Sequence, residues 1–249
     1  MLLDPYSLSI ILIGLALGSF FKGLTGMGLP VVAVPFLAGF LGAEHAIVVL
    51  QIPGMVSNIW LVWSHRRSAT EIAIRYDMVV PAVIMVMLGV WFLDAADERV
   101  ILLLLAGSVA VSLPVLLLKP SFRLEGAIGR AVTVVASAFG GFTQGAAGVS
   151  GPLFSTLIMS FRLKREAYVF YNGLVFGLFN VFQIGAMIWF DMFTRQRIME
   201  GFLALIPLFI FQYLGMRTMG AISTKAFNAV IITVIVAMEI KLVWGGLGG

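Results

Sequence analysis

The sequence predicts an all-α polytopic membrane protein made of two inverted repeats, each a broken-helix hairpin followed by three transmembrane helices. Composition is the first reason: of 249 residues, 61% are hydrophobic and 11% charged. A soluble domain has about a quarter of its residues charged and under half apolar. The second is a series of apolar runs separated by short charged turns, several of them near the ~20 residues that cross a bilayer. The third is a glycine-rich segment that occurs twice, at matching places in the two halves. The formal charge is +4, but Lys and Arg sit in short loops between apolar spans. Membrane orientation accounts for them, and no nucleic-acid partner is expected. The absence of cysteine excludes a disulfide, a thiolate nucleophile and a Cys-ligated metal. His45 and His65 lack metal-ligand spacing, so neither a metal nor another cofactor is expected.

The repeated segment reads Gly18-Ser19-Phe20-Phe21-Lys22-Gly23-Leu24-Thr25-Gly26-Met27-Gly28-Leu29-Pro30 and returns as Gly140-Gly141-Phe142-Thr143-Gln144-Gly145-Ala146-Ala147-Gly148-Val149-Ser150-Gly151-Pro152. Each copy interrupts an apolar run with glycines, small polar residues and a closing proline. Proline suits the first turn of a helix, where its missing N–H is not needed. The pattern predicts helix, break, new helix, restarting near Gly28–Pro30 and Ser150–Pro152. Irregular backbone at membrane depth is tolerated only inside protein or against a cavity, and paired breaks in two halves point to a transporter's binding site.

In chain order, Leu8–Phe21 and Val31–Leu41 form the first hairpin, whose second arm is short. Leu8–Phe21 has the look of a signal-peptide core, but Asp4 and no basic residue precede it, and its internal copy argues that it is retained. Glu44-His45 is placed in a loop, as an ordinary interfacial pair rather than a proton-coupling one. Spans follow at Ala46–Trp63, Met78–Leu93 and Val100–Leu118. The second half repeats the plan with Ala131–Phe142 and Leu153–Phe161 as hairpin, then Ala167–Phe190, Phe202–Met216 and Phe227–Trp244. At constant separation Glu44 matches Glu166 and Asn58 matches Asn180; after a length change, Pro81 matches Pro207 and Gly89 matches Gly215. Residues 1–120 and 121–249 are therefore read as two repeats of one membrane domain. Placing the basic loops 65–75 and 119–130 inside puts the acidic turn 94–99 and both termini outside, and makes the halves antiparallel.

A helix N-terminus carries unpaired N–H groups and about half a positive charge, and so favours an anion. Two of them aimed at one point beside Lys22 would make an anion pocket. An ammonium at mid-membrane costs on the order of 3 kcal/mol unless paired, which marks Lys22 as functional; snorkelling to an interface is the alternative. The candidate binding residues are Lys22, Gly23, Thr25, Gly26 and Gly28 at the first break, and Thr143, Gln144, Gly148 and Ser150 at the second. Gln51 and Asn58 on one span and Asn172 on another complete the set. The hydroxyls and amides would donate to oxyanion oxygens, with local capping the competing role. Asn172, Phe176, Asn180 and Gln183 share one helical face, either as pathway lining or as interhelical glue.

Gly23-Leu24-Thr25-Gly26-Met27-Gly28 followed by Pro35 resembles the signature of the TauE/SafE sulfite exporter family, also called toluene sulfonate uptake permeases. Gly145 to Pro152 resembles that family's second-half motif, and the likeness extends over essentially the whole chain. Where family members tend to continue with more glycines, this chain has Leu29-Pro30. The resemblance implies a bacterial inner-membrane permease for a small sulfur-containing anion: sulfite, an organosulfonate or a sulfur-containing carboxylate. An anion channel and an intramembrane enzyme acting on lipid phosphate are the alternatives. The enzyme is disfavoured because the breaks offer hydroxyls with no carboxylate or histidine nearby in sequence.

Overall fold

The computed structural model describes residues 4–25, 29–71, 73–118, 124, 126–218 and 224–247. Among them are twelve α-helices and no strand: α1 (Pro5–Thr25), α2 (Leu29–Leu41), α3 (Ala43–Val49), α4 (Gln51–Ser64), α5 (Tyr76–Ala95), α6 (Glu98–Leu118), α7 (Gly126–Ala147), α8 (Gly151–Met159), α9 (Arg165–Trp189), α10 (Arg195–Leu203), α11 (Leu205–Thr218) and α12 (Thr224–Gly246). Among the described residues, six stretches are long and apolar enough to cross a membrane, with α3–α4 and α10–α11 each counted as one. At 1.5 Å per residue, the 20 residues of α5 match the ~30 Å hydrocarbon core. Four of the five tryptophans, Trp63, Trp91, Trp189 and Trp244, are exposed near helix ends, as in an interfacial aromatic belt.

The hairpins have unequal arms. α1 and α7 are full-length, with 21 and 22 residues, whereas α2 has 13 and α8 has 9. Neither short helix carries a charged residue, and protein encloses most of both, including the Ser155 and Thr156 of α8. Leu29, Val32, Val34 and Leu37 of α2 are buried, as are Phe154, Leu157 and Ile158 of α8. A predominantly apolar helix without a charged face belongs in an interior, and enclosure also shelters the backbone breaks from lipid. α2 and α3 anchor the larger apolar cluster, with Ile11, Leu15, Leu105 and Leu208 against them. Met78, Ala82 and Val86 of α5 meet Phe154, Tyr171 and Phe179 in the smaller.

Most glycines of the repeated segment are not breaks. α1 is helical through Gly18–Thr25 and α7 through Gly140–Ala147. The reason is packing. A Cβ on Gly23 would lie 2.3 Å from the Gln212 carbonyl oxygen and 2.9 Å from the Gly215 Cα; a Cβ on Gly145 would lie 2.1 Å from the Val86 carbonyl oxygen and 2.9 Å from the Gly89 Cα. Thus α1 packs on α11 and α7 on α5, backbone to backbone. The second break is confined to Gly148–Ser150, where Gly148 takes φ +69°, a left-handed conformation that suits a residue without Cβ. Gly26–Gly28, the core of the first break, and 119–123, most of the second basic loop, lie outside the described residues.

α4 and α9 cross in opposite directions. Gln51 and Gly54 face Asn180, Asn58 faces Asn180 and Gly177, and Leu61 and Val62 face Gly173. The expected loop at 41–45 is instead almost wholly helix: α3 begins at Ala43, and a single residue at φ +88°, Gly42, separates it from α2. Glu44 and His45 therefore stand in the first turn of a helix, where each meets a partner on α10. Helix α10 reaches back from the expected span Phe202–Met216 into the stretch between it and Ala167–Phe190, and is started by Thr194, whose hydroxyl accepts from the Arg197 N–H at 3.2 Å.

Candidate functional site

A cavity of about 40 Å³, counted as space open to the centre of a water molecule, lies where α1–α4 and α7–α9 converge. A single buried water needs roughly 10–15 Å³ on that measure, so this is room for a few waters or one compact oxyanion. Its polar wall is Lys22, Gln51, Asn58, Gln144, Asn172 and Asn180; apolar side chains such as Leu29, Val34, Ile47 and Phe176 form the other. No acidic residue is among the described lining.

Lys22 starts a directed chain of hydrogen bonds. Its ammonium, on a side chain buried with the residue at 7% exposure, donates to Asn58 Oδ1 at 2.7 Å. Asn58 Nδ2 donates to Asn180 Oδ1 at 2.8 Å, Asn180 Nδ2 to Gln51 Oε1 at 2.9 Å, and Gln51 Nε2 to the Ile47 carbonyl at 3.0 Å. The direction is dictated by Lys22, which can only donate, so each amide must turn its oxygen toward the cation. Bonds in such a chain polarise one another. The ammonium has three donors and, among the described residues, uses one on this chain.

At the second break, Ser150 Oγ donates to Gln144 Oε1 at 2.7 Å, and Gln144 Nε2 donates to Gln183 Oε1 at 3.2 Å. Gln183 Nε2 returns a bond to the Gln144 carbonyl at 3.0 Å. Ser150 occupies the N-cap position of α8 but does not cap it with its side chain. The first-turn amides of α8 therefore have no side-chain cap, and Gly151, the first residue of the helix, lines the cavity. Leu29 and Pro30, which open α2, line the same cavity.

Of the candidate residues, Lys22, Gln51, Asn58, Gln144, Gly148 and Asn172 line the cavity. Gly23 faces α11 instead. Thr143 is buried, with its hydroxyl on the Gly140 carbonyl at 3.1 Å, the local role that competed with ligand binding. Ser150 acts on Gln144. The Thr25 side chain, Gly26 and Gly28 lie outside the described residues. Asn180 and Gly54 also line the cavity. Asn180 shares a helical face with Asn172, the signal that could have placed it there.

The candidate spans among the described residues, with a buried polar cavity between several of them, define a polytopic membrane protein. The chain belongs to the sulfite exporter TauE/SafE family, whose family model matches residues 10–242. Members of that family are membrane transporters rather than enzymes, and this chain is a membrane transporter. No curated protein and no solved structure matches it.

Proposed function

We propose that the protein carries a small sulfur-containing anion, such as sulfite or an organosulfonate, across the bacterial inner membrane, and that the anion binds in the Lys22 cavity. The observation that carries this reading is a buried lysine side chain in a cavity whose described lining contains no carboxylate. The substrate oxygens take the remaining donors of Lys22 and the uncapped first-turn amides of α8; the start of α2 approaches from the other side. The apolar wall of Leu29, Val34, Ile47 and Phe176 receives the organic part of a sulfonate. Export of an anion is driven by an inside-negative potential, about 2.3 kcal/mol per charge per 100 mV.

The reading includes two halves related by an in-plane axis, with both termini outside. Its support is the pairing of matched positions. Asn58 bonds its counterpart Asn180 where α4 and α9 cross antiparallel. Gly23 meets Gly215 while their counterparts Gly145 and Gly89 meet each other. In such folds one part moves against the other around a fixed midplane site. Flux of radiolabelled sulfite or sulfonates into liposomes containing the purified protein tests the function. Absence of flux for every such anion in well-folded protein refutes it.

Asn58→Asp gives a sharper test of the cation's role. The replacement is nearly isosteric and places a carboxylate 2.7 Å from the ammonium. Lys22 would then hold a counter-ion of its own, and the cavity would lose its net charge. Anion affinity is expected to fall at least tenfold while the protein remains folded, read as loss of ligand-induced thermal stabilisation.

A further inference from the structure

α8 starts with backbone N–H groups that nothing in the described protein takes up. Its N-cap position is Ser150, and the helix runs from Gly151 with Pro152 second. Pro152 has no N–H, and the Phe154 N–H already goes to the Ser150 carbonyl at 3.1 Å. Gly151 and Leu153 are left as free donors among the described residues. First-turn N–H groups point along the helix axis, here toward the end that Gly151 presents to the cavity. A serine at the N-cap ordinarily accepts from the N–H of the second or third helical residue. With proline second, the one donor open to Ser150 in that role is the Leu153 N–H. The Ser150 hydroxyl and a bound oxyanion therefore compete for the same group.

Ser150 is kept from it by hydrogen bonds that run away from the cavity. They begin at the Gln144 carbonyl, which can only accept, and which takes the Gln183 Nε2 hydrogen at 3.0 Å. Gln183 must then turn Oε1 to Gln144 Nε2, at 3.2 Å, and Gln144 is left with Oε1 facing Ser150. A hydroxyl opposite an amide oxygen has to donate, and Ser150 does so at 2.7 Å. Its backbone, at φ −145° and ψ 1°, is not the extended one of a capping residue. Ser150, Gln144 and Gln183 are all buried, so bulk water does not compete for these bonds. Gln183 itself is not part of the described cavity lining.

We propose that Gln183 is a positioning residue of the anion site: through Gln144 it holds the Ser150 hydroxyl off α8 and so reserves the Leu153 N–H for the transported anion. This rests on the reading that the anion binds in the Lys22 cavity. Without Gln183, the Gln144 amide has no fixed sense and can turn toward the cavity it lines. Ser150 is then free to cap α8, the role serine prefers there, and an anion must displace it. Loss of the Gln183 bonds should loosen α7 from α9, yet the start of α8 should become better protected. Those opposite signs separate positioning from mere support.

The experiment reads the Leu153 amide directly. Only Leu153 and Leu208 follow a proline, so carbon-13 at the proline carbonyl and nitrogen-15 in leucine give two amide signals. Leu208, which donates to the Ala204 carbonyl at 3.2 Å, serves as the internal reference. In the purified protein, hydrogen exchange at Leu153 is expected to slow about five-fold in Gln183→Leu, the size of a typical serine cap. Adding Ser150→Ala, which cannot cap, should return it to the wild-type rate. Sulfite titration should run in parallel: about five-fold weaker binding in Gln183→Leu, recovered by Ser150→Ala. If Gln183→Leu does not fold, Gln183→Met carries the test. Exchange at Leu153 that is unchanged or faster in the folded variant overturns the proposal. So does any slowing, or any loss of sulfite affinity, that Ser150→Ala leaves in place. The exchange arm contains no transported solute, so failure of every form to bind sulfite counts against the anion reading alone.

Discussion

Lys22→Met is expected to abolish anion transport and leave the fold standing. Removing the charged member of a buried pair costs about 2–5 kcal/mol of binding, so affinity should fall on the order of 100-fold or more. Two effects on stability oppose each other. Relieving a mid-membrane ammonium returns about 3 kcal/mol. Losing the donor to Asn58 Oδ1, which it contacts at 2.7 Å, orphans a buried carbonyl at a cost of about 1–3 kcal/mol. The melting temperature should therefore move little, while stabilisation by a bound anion, about 2.7 kcal/mol at a hundred times Kd for wild type, disappears. Lys22→Ala should act in the same direction on affinity. Full affinity in folded Lys22→Met protein would remove the ammonium from the binding site.

Local pattern in the chain was enough to locate most of the helices and the two restarts. Proline after a small-residue break announces α2 and α8, which begin at Leu29 and Gly151. Lys22 stood out because an ammonium in an apolar run needs a reason, and it is indeed buried against the cavity. What local pattern could not convey was any role set by a remote partner. Gly23 and Gly145 looked like chain breaks because their contact surfaces, Gly215 and Gly89, lie on helices far away in sequence. Glu44 and His45 looked like loop residues because an acidic–basic pair after a short apolar run is ordinarily one. Their partners, Arg197 and Glu200, sit on the part of α10 that fell between the expected spans Ala167–Phe190 and Phe202–Met216, where Arg195-Gln196-Arg197 and Glu200 mask the helical period. Asn180 was placed on the right face, but its part in the relay depends on Asn58 and Gln51 of another helix.

Those remote glycine contacts lead to the second large effect. Gly145→Ala would force a methyl to within 2.1 Å of the Val86 carbonyl oxygen, a backbone atom that cannot turn aside. α7 and α5 must separate, and overpacking of this kind costs about 1–3 kcal/mol or more. Gly23→Ala meets the Gln212 carbonyl oxygen at 2.3 Å and should cost a similar amount by separating α1 from α11. Gly107→Ala supplies the contrast: nothing lies within 4 Å of a Cβ there, and helix propensity alone should stabilise by up to about 1 kcal/mol. Melting of the purified proteins in one detergent reads all three. Function should follow packing at Gly145, because its neighbour Gln144 lines the cavity and moves with α7. If Gly23→Ala is damaging and Gly145→Ala is tolerated, the two hairpins are not held by equivalent contacts, and the two-fold relation proposed for the halves fails. Comparable losses at both would mean that each hairpin is clamped by the opposite half, which is what lets a pair of hairpins present their short arms to one shared cavity.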